Sequence, residues 1–107
     1  MATPIISAVC LRNGVPANSR EDFNSAGSMA QSSLTLTISD VDRGEEPRGT
    51  IEYQWKRGGN ILERENSNSI TINAEGEYIP IIRNVYNGSI YTKELPAIFV
   101  NDIANDQ

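Results

Sequence analysis

The chain has 107 residues, with 14 acidic and 9 basic side chains, no histidine and one cysteine. That length supports one compact domain, which buries about two-thirds of its unfolded surface and folds without staples. A net charge of −5 argues against nucleic acid or an anionic membrane as partner. One cysteine excludes a disulfide within the chain, and the lack of histidine removes the usual general base, nucleophile activator and commonest metal ligand.

Pro4 to Leu11 reads as a first strand, with Cys10 as a small apolar core residue rather than a reactive thiol or an intersubunit bridge. The opening MATPIISAVCL carries no basic region and no small-residue cleavage pattern, so no signal peptide is expected. No run of about 18 or more apolar residues is present. The expectation is a protein folded in a reducing cytosol. Asn13-Gly14 marks a turn. Val15 to Gln31 is rich in Gly, Ser, Asn and Pro and reads as a long loop pinned by Phe23 and Met29. Ser19 offers a cap for one helical turn there. A loop of that length in a small domain is often functional, or hides a short extra strand.

Ser33 to Ser39 alternates, with Leu34, Leu36 and Ile38 inward and Thr35 and Thr37 outward. Asp40 to Gly49 is a charged loop. Thr50 to Lys56 is a strand with Ile51, Tyr53 and Trp55 on one face, and Gly58-Gly59 supplies a tight turn. Asn60 to Arg64 returns as a short edge strand, and Ser69 to Asn73 follows with Ile70 and Ile72 inward. Glu77 to Tyr86 is a longer strand, and Asn87-Gly88 is the strongest hairpin signal in the chain. Ser89 to Lys93 pairs back, Leu95 to Val100 closes the fold, and residues 101–107 form a polar, acidic tail expected to be mobile. The domain is therefore expected over residues 1–100, all-β and an antiparallel β-sandwich.

The series LTLTI, YQW, ITI and EGEY, over about Leu34 to Val100, resembles the immunoglobulin-like sandwich in its bacterial and viral versions, including PKD-type domains. The resemblance implies Trp55 in the core of the third canonical strand and Tyr78 as the corner tyrosine of the sixth. In disulfide-bearing members the cysteines would fall near Leu36 and Pro80, so an apolar core is implied here. Pro80 departs from the pattern, because proline cannot donate to a ladder. Either that strand bulges or the strand order differs, and a jelly roll is the structural runner-up.

Chemistry is sparse. No nucleotide, zinc or nucleophile-elbow motif occurs, and no catalytic residue, metal or cofactor is expected. Asp40, Asp42, Glu45 and Glu46 offer oxygens for calcium, but Gly44 breaks the EF-hand spacing and Arg43 and Arg48 oppose it, so the segment is read as a solvated loop. Glu63 and Glu65 around Arg64 read as a charged edge that resists aggregation. Arg57-Gly58-Gly59 is a turn rather than an RGG repeat, and Asn87-Gly88-Ser89 a turn rather than a glycosylation site. Tyr53, Tyr86 and Tyr91 are core-and-surface residues or an aromatic platform. Tyr86 and Tyr91, bracketing the hairpin turn, are the candidate binding pair, with Phe23 as a third candidate.

The expected protein is a non-enzymatic binding or structural module. Small acidic sandwiches of this kind are similar to decoration proteins on tailed-phage heads. That likeness implies synthesis in the host cytoplasm, a place on the capsid surface of the virion, and the major capsid protein or another virion protein as partner. Homo-oligomerisation is left open, and no nucleic-acid or membrane partner is expected. The alternative is a carbohydrate- or cell-surface-binding module of an adhesin or tail protein.

Overall fold

The structure is a computed structural model, and it describes residues 3–16 and 33–100. Its described residues form nine strands: β1 Ser7–Arg12, β2 Val15–Pro16, β3 Leu34–Asp42, β4 Thr50–Arg57, β5 Asn60–Ile61, β6 Ser69–Ile72, β7 Gly76–Tyr86, β8 Ser89–Glu94 and β9 Ile98–Val100. They make two antiparallel sheets, β2-β1-β3-β6 and β5-β4-β7-β8, with β9 also paired to β7. The sheets pack face to face as a β-sandwich. The pairing of β1, β3 and β6 opposite β5, β4, β7 and β8 follows the immunoglobulin order of A, B and E opposite C′, C, F and G. It is not the jelly-roll alternative.

Period-2 alternation decides which side chains fill the space between the sheets. Leu34, Leu36 and Ile38 of β3, Ile70 and Ile72 of β6, and Trp55 of β4 are all buried, and they share one cluster with Tyr78, Ile82, Ile98 and Val100. Trp55 is fully buried, and its indole N–H donates to the Ser67 carbonyl at 2.9 Å, which satisfies the one polar atom that its burial would strand. Tyr78 is 2% exposed, and its hydroxyl donates to the Ala74 carbonyl at 2.7 Å. This bond, four residues back at the start of β7, is the geometry of a tyrosine corner. It fixes the crossing from β6 to β7, and the Arg57 guanidinium covers the ring at 5.8 Å.

Pro80 lies within the unbroken central strand β7, opposite Trp55. A residue in an antiparallel strand points its N–H and C=O to the same neighbour, and Pro80 accepts from Leu95 N–H at 2.9 Å. Its missing donor therefore faces the β8 and β9 side. There the neighbouring strand is interrupted: β8 pairs as far as Ile81 with Glu94, and β9 resumes at Tyr78 with Ile98. The irregularity that proline demands is in the adjacent strand, between Glu94 and Ile98, and β7 itself does not bulge.

Other boundaries move for local reasons. Residues 3–6 are not a strand; β1 begins at Ser7. Asn13 and Gly14 both have positive φ, 51° and 84°, so the tight turn they make folds Val15–Pro16 back as the short strand β2. β3 runs on to Asp42 through a bulge in which Asp40 takes φ 56° and the register with β1 shifts between Ser7 and Val9. β5 stops at Ile61, so Glu63, Arg64 and Glu65 lie in the connection to β6 and not in an edge strand. Phe23, Met29, the turn at Ser19–Asp22 and the tail 101–107 lie outside the described residues. No helix among the described residues is long and apolar enough to cross a membrane.

Candidate binding pole

One end of the sandwich gathers the N-terminal segment, the connection between β3 and β4, and the β7–β8 hairpin. The charged connection is ordered from within. Asp42 Oδ1 accepts from Gly44 N–H at 2.9 Å, and Arg43 Nη1 donates to the Gly49 carbonyl at 2.9 Å. Thr3 then ties the chain start to it: its hydroxyl accepts from Arg48 N–H at 2.9 Å and donates to the Glu46 carbonyl at 3.3 Å. Ile6 N–H donates to the Asp42 carbonyl at 2.7 Å.

Asn84 is the residue that locks this pole, and it was not among the candidates read from the sequence. By alternation along β7 it takes a core-facing position, and it is fully buried. Its Nδ2 donates to both the Thr3 and the Arg48 carbonyls at 2.7 Å. Its Oδ1 has no hydrogen-bond partner and packs on Gly49, where a Cβ would lie 2.2 Å away. Gly49 also has φ 108°, which a side chain resists. A buried amide thus joins two segments 36 and 81 residues away in sequence. The signal available in the sequence was an asparagine at a core position of an otherwise apolar strand, flanked by Ile82 and Tyr86.

The result is an open cleft of about 600 Å3, walled by Thr3, Pro4 and Ile6 on one side and by Arg43, Gly44, Glu45, Glu46 and Arg48 on the other. Ile6 is 59% exposed at its mouth. Two arginines and two glutamates leave the rim balanced in charge around an apolar floor. That chemistry can seat an apolar side chain flanked by charges. The carboxylates of this loop do not gather into a metal site: among the described residues no group of three His, Cys, Asp or Glu could hold an ion.

The tyrosines divide. Tyr53 sits opposite Ile82 and packs on the core. Tyr91 pairs with Asn84 and Tyr86 with Ser89, so Tyr86 and Tyr91 are diagonal neighbours on one face, within reach of each other. Tyr86 is half-buried and Tyr91 is 37% exposed. The pair is therefore at the same pole as the cleft, joined to it through Asn84, and Tyr53 is not part of it. Phe23, the third candidate, is outside the described residues.

Cys10 is 5% exposed and faces inward. Burial pushes its thiol up to about 11, against a smaller opposing pull from a hydrogen bond with the Thr37 backbone. A thiol held protonated in this way is a poor nucleophile. Comparison with protein-family models, curated proteins and solved structures finds no match to this chain.

Proposed function

We propose that the protein is a non-enzymatic binding and structural module that attaches through this pole to the protein shell of a virion, as a phage head decoration protein does. The observation that carries the reading is the cleft between Thr3–Ile6 and Arg43–Arg48, whose walls are fixed by Thr3 and Asn84 before any partner arrives. A preformed site loses less entropy on docking. Its apolar floor and balanced rim suit a protein surface, and the acidic charge of the whole chain disfavours nucleic acid. The virion as the setting rests on the likeness of a small, acidic immunoglobulin-type sandwich to such decoration proteins.

The test is co-sedimentation of the protein with capsids built from the shell protein of the same virion. Saturable binding that falls at least tenfold in Ile6→Asp and Arg48→Glu supports the reading. Absence of binding by the folded wild-type protein, or binding indifferent to both substitutions, removes it. The exposed Tyr91 beside Tyr86 favours one second reading, a glycan-binding module. In that case a glycan array gives a hit that Tyr91→Ala abolishes.

A further inference from the structure

Among the described residues, no strand pairs with the outer edge of β8. Leu95 and the β7 register show that Ser89, Tyr91 and Lys93 take the positions bonded to β7. By alternation, the N–H and C=O of Ile90, Thr92 and Glu94 point away from the sheet. No described strand lies on that side. Ile90 on one face is 50% exposed and Tyr91 on the other is 37% exposed. Natural edges are usually blunted by a bulge, a proline or a charge. Here Pro96 and the irregularity come after Glu94, and Glu94 is already bridged to Lys56 at 3.6 Å. Lys93 is the remaining guard.

We propose that β8 pairs antiparallel with β8 of a second copy, so that one sheet runs through a two-fold dimer. The outward groups belong to even-numbered residues, which restricts the register. Centred on Thr92, Ile90 meets Glu94 of the other copy, Thr92 meets Thr92, and Tyr91 meets Lys93. Every outward backbone group of β8 then finds a partner. The Thr–Thr pair can share a hydrogen bond, and each lysine stem lies against a tyrosine ring, which neutralises the guard. A shift to Lys93 sets two lysines directly opposite, which is unfavourable. A shift to Tyr91 sets Glu94 against Gly88, inside the hairpin turn. The strand is therefore complementary to itself in one register. Two copies of net charge −5 repel at long range, so added salt strengthens the pairing. This dimer is independent of the surface to which the cleft attaches.

Sedimentation velocity over a wide concentration range reads it directly. The expected result is a mass that doubles with concentration, more readily at about 0.5 M than at about 0.05 M salt. Thr92→Pro removes a donor that β7 does not use, so the fold is kept while dimerisation weakens at least tenfold. Thr92→Cys with a short bis-maleimide should give a covalent dimer, while Thr71→Cys on the far sheet should not, and the buried Cys10 does not compete. A wild-type protein that stays monomeric throughout overturns the proposal, as does a folded Thr92→Pro that dimerises like wild type. If Thr92→Pro fails to fold, the cross-link decides: its presence at position 92 alone supports the pairing, and its absence refutes it.

Discussion

Replacing Asn84 by alanine tests whether one buried amide holds the pole together. Its Nδ2 makes two hydrogen bonds of 2.7 Å, to the Thr3 and Arg48 carbonyls. The two losses are unequal. The Arg48 carbonyl keeps the Thr3 N–H at 3.4 Å, so that loss is about 1 kcal/mol. The Thr3 carbonyl, in a half-buried residue, loses its Asn84 donor, a loss of about 1–1.5 kcal/mol. Removing Oδ1, which has no partner, returns part of this. The net expectation is a destabilisation of about 1–2 kcal/mol, or roughly 5–10 °C in Tm for a domain of this size. Asn84→Asp separates donor from volume: it is nearly isosteric but sets a carboxylate against two carbonyl oxygens. It should therefore cost more than alanine at neutral pH. Urea melts give the magnitudes. Hydrogen exchange gives the place, because the Ile6 N–H bonded to Asp42 should open well before the Ile38 N–H bonded to Asn68. If both variants stay within about 0.5 kcal/mol of wild type, with Ile6 still protected, the account of the pole is wrong.

Tyr78→Phe removes the bond to Ala74 and should cost about 1–1.5 kcal/mol in a urea melt, with the Trp55 fluorescence of the native state unchanged. Gly49→Ala meets Asn84 Oδ1 at 2.2 Å and the Val85 carbonyl at 2.9 Å at a φ of 108°. It should cost more than about 2 kcal/mol, and a near-neutral melt would contradict the close packing on Asn84. Trp55→Ala, which empties the centre of the core, should cost about 3–5 kcal/mol. Cys10 should resist a thiol reagent in the native state and react on unfolding. Its folded thiol titrates above its ordinary value of 9.0, near 11. The stability it contributes is therefore complete below pH 9 and is lost as pH rises towards 11, because the unfolded chain gives up the proton first. The stability gap between wild type and Cys10→Ala should narrow over that window and stay constant below it.

Most strands and their inward faces are legible along the chain, although the ends of β1 and β5 and the short β2 are not. Alternation in Leu34–Ile38, Ile51–Trp55 and Ile70–Ile72 can be satisfied only by a half-buried strand, and Asn87-Gly88 supplies positive φ where a tight hairpin needs it. These signals are local, so they survive without knowledge of the rest of the chain. The resemblance to the immunoglobulin-like sandwich implied a corner role for Tyr78, and its hydroxyl does close on the Ala74 carbonyl four residues back. The effect of one strand on another is visible only once the sheets are packed. Pro80 is tolerated in a central strand because a different segment, between Glu94 and Ile98, breaks beside it. Ile81 points away from the core yet is 3% exposed. It lies between Gln54 and Glu94, with ion pairs from Lys56 to Glu94 and from Arg83 to Glu52 on either side whose stems can cover it. The binding pole is wholly of this kind. Thr3, Arg48 and Asn84 are far apart in the chain and carry no shared pattern, and they become one site only when the sheets close and a single buried amide finds two carbonyls. Side-chain period is a property of consecutive residues and can be read along the chain; the pairing of distant polar groups is fixed only by where the packed sheets place them.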